Sequence, residues 1–299
     1  MPSPEPAATE RRPRLLHLIP SLEIGGAERM LLRLITHEAA APFDHQVLTL
    51  LSGGALAPRF SAAGIGLHAI SMRRGVPTPA AALRLGRLVR RLAPDLLVGW
   101  LYHGNVAASF TAVLGRPRGR RLPVVWNVRH SPDDLAAERP LTALLIRLGA
   151  RWSSRVEAVV YNSQTSARLH LELGYSAERT EVLPNGFDTE LYRPSAEARS
   201  RLRSLLGLGE EAVLVGRIGR YHAMKGFELF LEAAAPLVRE NSPAHLVLAG
   251  RGVDGNNPTL AAAVEAQGLA GRVHLLGPRD DLEGLLPGLD VMCSSSLYG

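Results

Sequence analysis

Cysteine, lysine and aromatic rings are all scarce in this chain of 299 residues. The single thiol, Cys293, has no partner for an intramolecular disulfide and fits a reducing compartment. Its apolar neighbours point to a buried structural thiol rather than a nucleophile. Aromatic residues make up 5% of the chain, too few to build a base-stacking platform, so no nucleic-acid partner is expected. No apolar run reaches the length of a membrane-spanning helix. Residues 1–14 are rich in proline and charge and lack an apolar centre. They are expected to form a disordered tail, not a secretory signal. Asp133-Asp134 and Asp280-Asp281 have no histidine or further carboxylate at ligand spacing, so no metal cofactor is expected. No Ser-His-Asp or Cys-His arrangement can be assembled. The Gly-Lys-Ser/Thr signature of a phosphate loop is missing.

The residues present describe an ordinary folded chain. Hydrophobic residues reach 46% and charged residues 21%, enough for sizeable cores, and the length suggests two domains. Charge is uneven. Residues 1–190 hold 23 arginines against 16 acids, whereas residues 191–299 hold 11 basic and 12 acidic residues. The surplus includes Arg73, Arg74, Arg84, Arg87, Arg90, Arg91, Arg116, Arg118, Arg120 and Arg121. Such a face can attract an acidic membrane surface or acidic acceptor, or can simply be solvated.

Short apolar runs alternate with helical patterns. Strands are expected at 14–20, 46–51, 67–71, 96–100, 124–128, 158–161 and 180–184. In the second half they are expected at 212–215, 245–249, 273–276 and 290–294. Helices fall between them; Leu85, Leu88, Val89 and Leu92 keep helical spacing within 79–92, and Ser163 is placed to cap a helix. The alternation predicts two doubly wound, largely parallel α/β domains. These are an N-terminal domain at 15–190 and a C-terminal one at 191–299. The last strand has no helix after it, so the second domain reads as incomplete and the sequence as cut short.

The most informative stretch is Gly216-Arg217-Ile218-Gly219-Arg220-Tyr221-His222-Ala223-Met224-Lys225-Gly226. It reads as the turn at the carboxyl end of a strand, where open α/β sheets bind ligands. Arg220 and Lys225 bracket glycines that permit close approach, and a helix start follows. Lys225 is the only lysine in the chain. The set suits a phosphate; the plainer alternative is a solvated surface lysine. Gly25-Gly26-Ala27-Glu28 makes a second glycine turn into a helix, ligand-facing or merely tight. Gly250-Arg251-Gly252-Val253-Asp254-Gly255 matches a dinucleotide fingerprint in letters. Asn256-Asn257-Pro258 delays its helix, so it reads as a glycine-rich loop near a ligand. His130, just past a strand end, can meet a substrate hydroxyl or be an ordinary loop histidine.

In order along the chain, these pieces resemble family 4 of the retaining glycosyltransferases, enzymes of the GT-B fold. The matching residues are Ile19-Pro20 with Gly25-Gly26-Ala27-Glu28, His130, Asn162-Ser163, Leu183-Pro184-Asn185-Gly186-Phe187-Asp188, and Gly219-Arg220 with Lys225-Gly226. They continue through Leu248-Ala249-Gly250-Arg251-Gly252, Leu276-Gly277-Pro278-Arg279-Asp280-Asp281 and Ser295-Ser296-Leu297-Tyr298-Gly299. The resemblance implies two facing Rossmann-like domains with a UDP- or GDP-sugar donor between them. It implies that Arg220 and Lys225 neutralise the donor diphosphate, with Gly25 and Gly26 approaching the phosphates or sugar. His130 would contact the sugar or acceptor, Gly250 would lie near the ligand and Arg279 would border the base. The family's pair of glutamates, seven residues apart, would follow Gly299. The implied function is sugar transfer with retention to a sugar or lipid-linked acceptor. The setting would be cytoplasmic, peripheral at the inner membrane face, in cell-surface polysaccharide or glycolipid synthesis. A sugar-nucleotide epimerase of this fold and a non-catalytic nucleotide-sugar-binding protein are the alternatives.

Overall fold

The computed structural model describes residues 11–72, 78–114, 121–132, 134–136, 138–239 and 242–297. Arg73, Arg74, Arg116, Arg118, Arg120, Asp133, Tyr298, Gly299 and residues 1–10 of the expected tail lie outside them. The chain divides into two compact units, Met1–Asn185 and Gly186–Gly299.

In the first unit, seven strands alternate with helices. The strands are β1 (Arg14–Ile19), β2 (Asp44–Thr49), β3 (Gly66–Ala69), β4 (Leu96–Trp100), β5 (Val124–Val128), β6 (Ala158–Tyr161) and β7 (Thr180–Val182). The helices are α1 (Gly26–Thr36), α2 (Ala57–Ala62), α3 (Pro79–Leu92), α4 (Leu101–Leu114), α5 (Pro140–Trp152) and α6 (Gln164–Glu172). The sheet order is β3-β2-β1-β4-β5-β6-β7, and every pairing is parallel. Order therefore reverses between β1 and β4. Both faces are covered, which is why these strands are nearly continuous apolar runs. Leu16, Leu18, Leu97 and Trp126 pack into one core, and Ile19, Val47, Val98 and Trp100 into the other.

The second unit repeats the plan on a smaller scale. It contains α7 (Ala196–Leu206), β8 (Val213–Ile218), α8 (Phe227–Arg239), β9 (Ala244–Ala249), α9 (Pro258–Ala266), β10 (Val273–Leu275), α10 (Leu282–Leu285) and β11 (Val291–Met292). Its parallel sheet runs β10-β9-β8-β11, with the reversal between β8 and β11. The α/β class and its two doubly wound parallel sheets agree with the sequence reading.

Helix starts follow local chemistry. Thr78 Oγ1 accepts from the Ala81 amide at 3.2 Å, with Pro79 at the first helical position of α3. Ser163 caps α6 by accepting from Ser166 N at 3.1 Å, as its position suggested. Several strand boundaries differ from expectation by up to three residues: β2 is Asp44–Thr49 rather than 46–51, β7 ends at Val182 rather than 184, and β11 spans only Val291–Met292 rather than 290–294. α1 stops at Thr36, because the His37 ring accepts from Ala39 N and starts a separate 3-10 turn. β8 runs on through Gly216, Arg217 and Ile218, so the turn begins only at Gly219. Ladder pairing with β9 holds those three residues extended, Gly216 against Val247 and Arg217 against Leu248. Cys293 is half-buried and packs against the core beneath α8. No helix among the described residues is long and apolar enough to cross a membrane.

Candidate functional site

In open α/β sheets ligands bind outside the carboxyl ends of the strands, where strand order reverses. In the second unit that place is filled by the segments after β8 and β11. Gly219 donates its N–H to Ala249 O at 2.8 Å, and Tyr221 donates to Arg251 O at 2.8 Å, which laces the β8 turn to the β9 turn. Gly250 must be glycine here. Its φ is +145°, and a Cβ would lie 1.9 Å from Gly219 O. A 3-10 turn at Ala223–Lys225 follows and ends on Gly226 at φ +57°. Leu297 N donates to Met224 O at 2.9 Å and ties in the segment after β11.

Three cations stand at this strand end: Arg217 in the last part of β8, and Arg220 and Lys225 in the turn that follows. Arg217 is 2% exposed and lies over the Phe227 ring at 5.0 Å. Its guanidinium donates to Ser295 Oγ at 3.0 Å, Ile218 O at 2.8 Å and Lys225 O at 2.5 Å. Arg220 is exposed, and its contact is the Met224 sulfur at 3.9 Å. Lys225 Nζ lies 3.5 Å from Ser296 Oγ. Burial lowers the Lys225 ammonium pKa, and Arg217 and Arg220 lower it further by repulsion. None of the three forms an ion pair with a described carboxylate. Positive charge is thus concentrated and left unneutralised, the electrostatic signature of an anion site.

In the first unit, Gly25 is the N-cap of α1 and makes no side-chain cap. A Cβ on Gly26 would meet nothing within 4 Å. Glu28 is buried in the first turn; burial raises its carboxyl pKa, and Glu23 adds to this. This carboxyl shares the helix start with anything that binds there. His130, beyond β5, donates Nε2–H to Glu138 Oε1 at 2.5 Å and meets the Tyr102 ring edge-on. With the ring in this tautomer, its Nδ1 is left to accept a hydrogen bond from a hydroxyl. Tyr102 Oη in turn donates to His170 Nε2 at 2.8 Å, because His170 Nδ1–H is given to Ser166 O.

The family model described as Glycosyltransferase Family 4 matches residues 24–191. The chain belongs to this family. A second model, Glycosyl transferases group 1, matches residues 211–299. Among curated relatives, the GDP-mannose-dependent alpha-(1-6)-phosphatidylinositol monomannoside mannosyltransferase of Mycolicibacterium smegmatis is 29% identical over 178 residues. That match covers 59% of this chain and 44% of the relative. The D-inositol 3-phosphate glycosyltransferase of Segniliparus rotundus is 31% identical over 182 residues, covering 60% of this chain and 38% of the relative. The chain thus matches less than half the length of either. Among solved structures, Anabaena Alr3699/HepE in complex with UDP and glucose superposes with a TM-score of 0.77 at 23% identity. The match covers 95% of this chain and 74% of that one, and establishes the GT-B glycosyltransferase fold.

The structure gathers Arg220 and Lys225 in one turn and sets Gly250 directly beneath Gly219. Arg279 lies apart from the cation group in its bonding, its guanidinium held by both oxygens of Asp281 at 2.7 and 2.5 Å. Two members of these sites were not singled out from sequence. Arg217 was quoted as a turn residue, yet it is the strand residue that seats the cation turn. Glu138, eight residues from His130, fixes that ring. Only an expectation that His130 needs an orienting carboxylate could have found it.

Proposed function

We propose that this chain binds the diphosphate of a UDP- or GDP-sugar at Arg220 and Lys225 and serves sugar transfer with retention. The observation that carries the reading is the group of three unneutralised cations at the strand reversal of the second unit. Cleaving the bond from the anomeric carbon to phosphate builds negative charge on the departing diphosphate. Fixed cations stabilise that charge most when they are already in place, and Arg217 holds Lys225 O for that purpose. The new bond forms between the acceptor oxygen and the anomeric carbon on the face the phosphate leaves. The acceptor proton passes to the departing phosphate oxygen. In the first unit, His130 Nδ1 is assigned to a sugar or acceptor hydroxyl, and the Gly26 amide to the donor. Gly250 supports the turn, and Arg279 borders the base while paired with Asp281.

Relatives support both donor classes: the mycobacterial one is named for GDP-mannose, and Alr3699/HepE was crystallised with UDP-glucose. The exposed arginines of α3, Arg84, Arg87, Arg90 and Arg91, suit an acidic membrane surface, the setting proposed for glycolipid or polysaccharide synthesis. Calorimetric titration of UDP and GDP tests the donor site. Lys225→Ala and Arg220→Ala are each expected to weaken binding about tenfold or more. Transfer should fall about a hundredfold or more. Undiminished affinity in Lys225→Ala rules the assignment out.

A further inference from the structure

A further unneutralised arginine stands in the first unit, at the carboxyl edge of its sheet. Arg129, one residue past β5, is half-buried and lies over the Trp100 ring at 5.4 Å. Its Nε donates to Asn127 Oδ1 at 2.5 Å and one terminal nitrogen to Asn185 Oδ1 at 2.5 Å. Both partners are neutral amides, and no described carboxylate pairs with it. Two of its five N–H donors are used, leaving three on the outer corner of the fork.

Two further groups at this edge lack partners. Asn105 is 2% exposed, and its Oδ1 must accept from the Asn127 amide at 3.2 Å. That bond fixes the orientation of the side chain and leaves its Nδ2 buried without an acceptor. Asn162, one residue past β6, has a buried amide oxygen without a donor. Buried polar atoms left unpaired are costly, and at a ligand-binding edge they point to a missing partner. The missing partner must offer oxygens with negative charge to Arg129, an acceptor atom to Asn105 and a hydroxyl to Asn162. Phosphate geometry matches the free side of a guanidinium, and Arg rather than Lys suits it.

We infer that this edge binds the phosphate group of a hydroxyl-bearing, phosphorylated acceptor, with Arg129 as the phosphate anchor. The inference rests on the sugar-transfer reading above, but its residues are separate from the donor cations. The same chemistry could be presented by a free sugar phosphate or by a phospholipid headgroup.

The test uses the whole chain and three probes: inorganic phosphate, glucose 6-phosphate, and vesicles of phosphatidylinositol in phosphatidylcholine. Each is titrated against wild type, Arg129→Gln, Arg129→Lys and Lys225→Ala. At least one probe should bind, weaken about tenfold or more in Arg129→Gln, and hold in Lys225→Ala. UDP or GDP binding should show the opposite pattern, which also reports that Arg129→Gln is folded. Soluble probes responding supports a free sugar phosphate; vesicles alone responding supports a lipid headgroup. Probe binding that survives Arg129→Gln, that disappears in Lys225→Ala, or that is absent from wild type overturns the inference. If Arg129→Gln fails to fold, Arg129→Lys decides: weaker probe binding at unchanged stability supports the anchor, and unchanged probe affinity overturns it. Failure of UDP and GDP to bind wild type sinks the donor reading and with it the acceptor role, while probe binding that is lost in Arg129→Gln still marks Arg129 as a phosphate site.

Discussion

Arg217 shows how a single side chain can build a site without facing its ligand. It lies in the interior with no counter-ion, bonded to two serine hydroxyls and two backbone carbonyls. A buried charge is tolerated only when its donors are satisfied, and here satisfaction requires the turn after β8 and the segment after β11 to stay together. Arg217→Ala should therefore cost about 3 kcal/mol and loosen Lys225 at the same time. Arg217→Lys should not rescue it, because a single ammonium cannot span the same acceptors. Urea unfolding followed by far-UV circular dichroism checks this, and a wild-type midpoint for Arg217→Ala would refute it. The sequence makes Lys225 conspicuous through its solitude, but it gives Arg217 no such mark. Ser295 is 78 residues away, and Asn185 is 56 from Arg129, so only the fold reveals either partnership.

Among elements, the regular ones were readable and the irregular ones were not. β4, β5, β6 and α3 begin and end where apolar period, capping residues and prolines place them. β8 was read three residues short because Gly216 and Arg217 look like turn residues; the parallel ladder overrides that local preference. The glycine turns differ in a way letters do not show. At Gly250 a side chain would collide with the Gly219 carbonyl, and φ lies where only glycine is comfortable. At Gly26 there is open space. Gly250→Ala should destabilise the second unit by about 2 kcal/mol or more, combining backbone strain with displacement of the β8 turn. Gly26→Ala should leave stability within about 0.5 kcal/mol, since alanine suits a helix. Its effect, if the Gly26 amide meets the donor, should appear in donor affinity alone. Equal stability losses at the two positions would contradict this contrast.

Across the whole molecule, the buried histidines set a limit on acid tolerance, and they are concentrated in the first unit. Trp100 donates Nε1–H to His17 Nδ1 at 3.2 Å, and His17 passes Nε2–H to His45 Nδ1 at 3.0 Å. His45 completes the chain on Ala40 O. Every acceptor nitrogen in this relay is in use, so none can take a proton without breaking a bond. Burial lowers His17 to about 3, with His45 adding repulsion. Burial likewise lowers His170, to about 4. Both folded values lie below the ordinary histidine value of about 6.5, so the unfolded chain takes up protons first as pH falls. Stability is therefore complete above about pH 6.5 and declines below it, until the folded pKa values are reached. Between about pH 7.5 and 5.5 each of the two histidines should cost about 1.4 kcal/mol, together about 3 kcal/mol. The optical reporter is built in, since Trp100, Trp126 and Trp152 all belong to the first unit. Denaturant unfolding followed by tryptophan fluorescence should show the midpoint dropping over that range, and His17→Gln should flatten the drop by about half. A midpoint independent of pH would mean that these rings titrate in the folded state as freely as in the unfolded one, and that the relay carries no such cost.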